Sequence, residues 1–185
     1  MHELMTARWS PRALDPEAVV GTESLHALLE AARWAPSYGN TQPARFVLGR
    51  RADPAYKAIL DALVPGNQRW AHRAALLLVG IAVRRNEKGE VPYAEYGLGL
   101  AVENLVLQAV DEGLVAHQMA GFDPEAVRTA FAVPEWASPL VAIAVGRPGP
   151  VELLPEDKRD RERAPRKRLE LGELAFGRSW GEPAL

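Results

Sequence analysis

Apolar positions fall into runs whose spacing changes along the chain. Leu25, Leu28, Leu29 and Ala32 recur every three or four residues, which lines one side of a helix. Thr22 or Ser24 suits its N-cap, and the pattern stops near Trp34, just before Pro36. A first strand is expected at Phe46-Val47-Leu48. Helical spacing returns over Tyr56 to Leu63, closed by Pro65-Gly66, and a short helix is expected around Gln68 to His72. Ala75 to Val83 is a continuous apolar run, the signature of a strand buried on both faces. Tyr93 to Glu112 predicts the longest helix. Its apolar residues cover more than one side, which suits the centre of a domain or a subunit interface. Gly113 suits its C-terminus.

A strand follows at Val115 to Met119, then a turn over Gly121 to Pro124. Asp123 is expected to cap a helix over Glu125 to Phe131, with Pro124 at its first position. Pro139 to Val145 reads as the last core strand. Near the N-terminus, Arg8 to Pro16 reads as an irregular start in which Asp15 caps and Pro16 opens a helical turn. After Gly146 the chain is polar and Pro-rich, with a late apolar patch at Leu169, Leu171, Leu174 and Phe176. Such a tail is expected to lie as an arm across a surface. Helices alternating with short buried strands predict an α+β or three-layer α/β/α domain with a small central sheet. The expectation is a single domain over 1–185, with about 150–185 as an extended C-terminal arm. The long apolar helix and the arm together suggest a homodimer.

Composition narrows the class. At 48% hydrophobic over 185 residues the chain can bury a real core, yet it has no apolar run long enough to span a membrane. No secretory signal pattern opens it, and it has no cysteine, so disulfides and thiolate chemistry are excluded. These features fit a cytoplasmic protein. The formal net charge of −2 and a basic stretch without interleaved aromatic residues argue against nucleic-acid binding. His2, His26, His72 and His117 show no metal-ligand spacing, so no metal is expected. There is no nucleophile elbow and no phosphate loop. Gly97 and Gly99 fall inside the long helix, where they would permit close helix packing or close approach of a ligand.

Two features remain. The loop Pro36-Ser37-Tyr38-Gly39-Asn40-Thr41-Gln42-Pro43 joins a helix to a strand and presents many backbone and amide groups, which suits a flat, polar-edged ring or equally ordinary turn chemistry. Arg8, Ser10 and Arg12 near one end, and Arg166 and Arg168 near the other, are either unrelated solvated patches or parts of one anion site. Arginine's planar fork suits phosphate.

Four segments in order resemble the FMN-dependent nitroreductase family: Arg8-Trp9-Ser10-Pro11-Arg12; Ala32-Arg33-Trp34-Ala35-Pro36 through Pro43; Ala101-Val102-Glu103-Asn104 through Ala109, ending in Glu112-Gly113-Leu114; and Met119-Ala120-Gly121-Phe122-Asp123, with Val133-Pro134-Glu135 and the strand Val141 to Pro148 behind it. The closing Ser179-Trp180-Gly181 is also similar to the family's. The resemblance implies an intertwined homodimer with FMN at the subunit interface. It assigns the flavin phosphate to Arg8, Ser10, Arg12, Arg166 and Arg168, and places Trp9 among the cofactor-binding residues beside them. The loop Pro36-Ser37-Tyr38-Gly39-Asn40 would contact the flavin from the partner subunit, and Gln42 is counted with the cofactor-binding residues. Asn67 would reach the polar edge of the ring, and Ala120 and Gly121 would offer backbone groups near its reactive face. Tyr93 and Tyr96 would line the substrate pocket.

The chemistry so implied is hydride transfer from NADH or NADPH to flavin N5 and on to a small electron-poor acceptor, such as a nitroaromatic or quinone, in ping-pong order. No protein side chain would act as nucleophile. Enone or aldehyde reduction, fragmentation of the flavin itself, and flavin binding without turnover are the alternatives. Two positions depart from the family pattern: Trp9 replaces a second basic residue, and Ala44 replaces the aromatic residue usual after Gln-Pro.

Overall fold

A computed structural model describes all 185 residues. Four antiparallel strands form the central sheet: β1 (Ala44–Arg50), β2 (Leu76–Val83), β5 (Val115–Met119) and β6 (Ala137–Gly146), in the spatial order β1-β2-β6-β5. The apolar run of β2 lies between β1 and β6, with Val47 opposite Val79 and Val79 opposite Ala142. Its side chains alternate between two separate cores. Leu77, Val79 and Ile81 face one and Leu76, Leu78 and Ala82 the other, as the two-residue period of a strand requires.

One face carries α2 (Thr22–Arg33) and α5 (Ala94–Asp111), the other α3 (Pro54–Ala62), α4 (Pro65–Ala71) and α6 (Pro124–Phe131). The domain is therefore the three-layer α+β arrangement that the sequence predicts. Gly113 adopts φ +67° just past the α5 terminus, as expected. Asp123 caps α6 through its carboxylate, which accepts the N–H groups of Glu125 and Ala126 at 2.9 and 3.2 Å. No helix is long and apolar enough to cross a membrane.

Several local expectations are corrected. Asp15 and Pro16 form a turn rather than a helix start, and the Asp15 carboxylate accepts the Glu17 N–H. Neither Thr22 nor Ser24 caps α2; Gly21 holds that position without a side-chain bond. Pro65 opens α4 instead of closing the preceding helix, because its fixed φ suits a first helical position. A short helix α1 (Glu3–Ala7) and a small hairpin of β3 (Arg85–Asn86) and β4 (Gly89–Glu90) had no clear apolar period to announce them. The tail is not extended throughout. It contains α7 (Glu156–Arg163) and α8 (Leu171–Leu174), and Leu154 enters the α3/α4/α6 core.

Candidate functional site

The two ends of the chain meet. Arg166 donates to the carbonyls of Arg8 and Thr6, and Glu162 on α7 accepts the backbone N–H groups of Arg12 and Ala13 at 2.6 and 2.9 Å. Its other carboxylate oxygen stands 3.9 Å from the Arg12 guanidinium. Arg8 reaches Ser10 Oγ at 3.4 Å, while Trp9 is half-buried and joins no ring pair. The Arg12 guanidinium donates no hydrogen bond within the chain, although its side chain is largely covered. Burial and the nearby charge of Arg161 lower its pKa, and Glu162 partly offsets them. A cation held this way favours an anionic partner. Arg166 works as a staple on carbonyls, whereas Arg168 is exposed and donates only to the Lys167 carbonyl.

Beneath this segment, His117 on β5 is buried and points Nδ1 at the Pro11 carbonyl, 2.9 Å away. A carbonyl only accepts, so Nδ1 carries the proton. The ring packs against Trp70 on α4, with centroids 4.5 Å apart. Burial, helped by the charges of Arg12 and Arg161, lowers the His117 pKa to about 4. His117 is therefore neutral at ordinary pH.

The same two elements carry the second cluster. Asn67 lies one turn before Trp70 on α4, and Gly121 lies just past the end of β5. Asn67 Nδ2 donates to the Gly121 carbonyl at 3.0 Å, and Val64 N–H donates to it at 3.1 Å. A Cβ at position 121 would stand 2.8 Å from Asn67 Nδ2 and 2.9 Å from Val64 Cγ2, so this approach requires glycine. The N–H groups of Ala120 and Gly121 donate to nothing within the chain. They form a pair of open donors beside the Asn67 side-chain oxygen, which is also without a partner.

The third group lies elsewhere. The loop from Pro36 to Pro43 packs over the start of α5, on the α2/α5 side of the sheet. Gly97 makes this possible, since a Cβ there would meet Pro43 Cγ at 2.7 Å. Gly97 is thus a packing glycine, while Gly99 faces open space. Ser37 Oγ accepts the Gln42 N–H at 2.9 Å, and Gly39, Asn40 and Gln42 all have positive φ. Tyr38 stacks obliquely on Tyr93, with centroids 5.5 Å apart, and Tyr93, Tyr96 and Asn40 are exposed. A cleft of about 1050 Å³ runs past Asn40, Arg45, Lys88 and Trp136. Another of about 280 Å³ lies behind Pro36 and Ser37. Neither cleft contains Arg12, Asn67 or Gly121.

Sequence reasoning missed His117 and Glu162. His117 sits in an apolar strand without a ligand pattern, and Glu162 sits in a helix of charged residues that reads as a solvated face.

The profile of the nitroreductase family matches residues 5–147. The chain belongs to the nitroreductase family. An uncharacterized 15.4 kDa protein of Mycolicibacterium smegmatis is 35% identical over 147 residues, covering 75% of this chain and 99% of that protein. A Streptomyces coelicolor protein described as a "putative NADH dehydrogenase/NAD(P)H nitroreductase" is 31% identical, covering 70% of this chain and 74% of its own length. Among solved structures, an oxidoreductase containing FMN superposes with a TM-score of 0.91 at 32% identity, over 97% of this chain and 92% of that one. The family resemblance read from the four sequence segments is thereby borne out. This nitroreductase-family chain is an oxidoreductase by membership, built on the family's fold.

Proposed function

We propose that the protein binds FMN and reduces a small electron-poor acceptor at the expense of NADH or NADPH. The observation that carries this reading is a pair of donor groups without partners in the chain, both set against β5 and α4. One is the Arg12 guanidinium, covered but donating to nothing. The other is the open Ala120 and Gly121 N–H pair beside Asn67. His117, beneath the first, and Gly121, within the second, are four residues apart along nearly extended chain. That is roughly 13 Å, a span suited to a ring carrying a phosphorylated five-carbon chain. The FMN of the structural relative and the NAD(P)H in the description of the Streptomyces relative support the same choice of cofactor and donor.

Arg8, Ser10 and Arg12 would hold the phosphate, with Arg168 free to swing onto it. Arg166 would keep the N-terminal segment in place through its carbonyls. Asn67 and the Ala120 and Gly121 N–H groups would meet the polar edge and the reactive side of the ring. Donors fixed there stabilise negative charge as it develops, without reorganising at the moment of reaction. When bound, FMN supplies hydride chemistry at N5, taking two electrons from the nicotinamide and delivering them to the acceptor in turn. The protein's part is to orient the ring, keep one face open to both substrates and tune its electronics.

The loop from Pro36 to Gln42 lies on the α2/α5 side of the sheet, away from the α3/α4/α6 side that carries Asn67. The simplest completion is a homodimer in which each subunit lends its loop to the other's flavin. Exposed Tyr93 and Tyr96 would then border the acceptor pocket.

Purified protein should be yellow, with absorbance near roughly 450 nm for oxidised flavin. Anaerobic NADH or NADPH should bleach it, and nitroaromatics, quinones or enones should restore the colour. Light scattering should give twice the chain mass. Colourless protein that takes up no added FMN would refute the reading. Yellow protein that neither nicotinamide bleaches would leave flavin binding without this turnover.

A further inference from the structure

Both peptide groups that flank Arg12 are held by buried side chains from distant parts of the chain. The Pro11–Arg12 peptide is gripped at its two ends: the carbonyl accepts from His117 Nδ1 at 2.9 Å, and the N–H donates to Glu162 Oε1 at 2.6 Å. The Arg12–Ala13 peptide is gripped through its N–H, which donates to the same Glu162 oxygen at 2.9 Å. Pro11 fixes its own φ through its ring. Little backbone freedom is left at Arg12. His117 is 7% exposed and Glu162 8%, so water does not compete for these bonds.

One carboxylate oxygen is used up on the two N–H groups. The other lies 3.9 Å from the guanidinium, too far for a hydrogen bond. Glu162 therefore anchors the Arg12 backbone while leaving the fork of donors unspent. A carboxylate that merely neutralised Arg12 would take the fork itself, in a bidentate pair.

We propose that His117 and Glu162 are positioning residues that aim the Arg12 guanidinium at a bound phosphate monoester. The inference rests on the flavin reading above, in which that monoester is the terminal group of FMN. Arg12 touches the ligand; His117 and Glu162 act through it. A long side chain amplifies any rotation of its backbone, so losing one grip displaces the fork from the phosphate while leaving the ring site on Asn67 and Gly121 in place.

The test compares FMN with riboflavin, which has the same ring and no phosphate, by flavin-fluorescence titration of the full-length apoprotein. Wild type should prefer FMN. His117→Phe, which keeps a ring against Trp70, and Glu162→Leu should each weaken FMN binding roughly tenfold, as expected for one lost hydrogen bond to a charged site, with riboflavin binding nearly unchanged. His117→Asn, which keeps a donor near the Nδ1 position, and Glu162→Gln, which keeps the acceptor oxygen, should stay within about threefold of wild type. Far-UV circular dichroism identifies the variants that fold, and any one folded loss variant with its rescue partner decides. Equal weakening of both flavins means a general structural role and overturns the proposal. Unchanged FMN preference in the loss variants also overturns it. A wild type that binds both flavins equally removes the phosphate from Arg12. A wild type that binds neither refutes the flavin reading itself.

Discussion

Lowering the pH from 7 to 4 should destabilise this protein through one residue, His117. Its imidazole is 7% exposed, lies against Trp70 and has Arg12 and Arg161 as charged neighbours. Burial is the main reason its pKa falls from 6.5 to about 4, and the accepting carbonyls of Pro11 and Ser10 offset only part of that. The folded pKa is the lower one. The unfolded chain therefore takes up the proton first as the pH drops through 6.5, and stability falls until the folded protein also protonates near pH 4. A difference of this size corresponds to about 3 kcal/mol, lost between roughly pH 6.5 and 4 and not recovered below it.

The assay is urea denaturation at half-unit pH steps on wild type and His117→Asn, which keeps the donor to Pro11 and cannot titrate. Carboxylates and the exposed His2, His26 and His72 are common to both proteins and cancel in the difference. The wild type should lose about 3 kcal/mol more than the variant across that window. Histidine proton NMR should show one ring titrating near pH 4. Parallel stability curves, or a His117 resonance that titrates near 6.5, would refute the reasoning.

Tyr56→Phe should cost about 1 kcal/mol in chemical denaturation. The buried hydroxyl donates to the carbonyls of Ala71 and Ala74, each of which keeps another donor; a neutral result would contradict this. Gly121→Ala should push Asn67 off the Gly121 carbonyl and lower the affinity for both FMN and riboflavin, because the new methyl meets Asn67 Nδ2 at 2.8 Å; retained affinity for both would exclude that contact from the ring site. Gly97→Ala should cost about 1–3 kcal/mol by overpacking against the rigid Pro43 ring. It should also speed proteolysis within residues 36–42, and an unchanged cleavage rate would count against the loop's anchorage on α5.

The amino-acid pattern by itself determined the elements whose stability is local. The apolar run of β2, the all-round apolar α5 and the Asp123-Pro124 start of α6 lie close to where residue spacing and capping chemistry put them. The order of four short segments also named the family. Tertiary structure alone decided the rest. It placed the Pro36–Pro43 loop on the opposite side of the sheet from Asn67, turned Gly97 into a seat for Pro43, and brought Glu162 to Arg12 across 150 positions of sequence. It also made His117 a buried donor to Pro11, 106 positions away. The physical reason is that helix and strand periods arise from neighbours a few residues apart, whereas a carboxylate's or imidazole's role depends on which distant peptide group folding sets beside it. In a one-dimensional reading Glu162 is one more charge in a solvated helix; only the packed chain makes it an anchor.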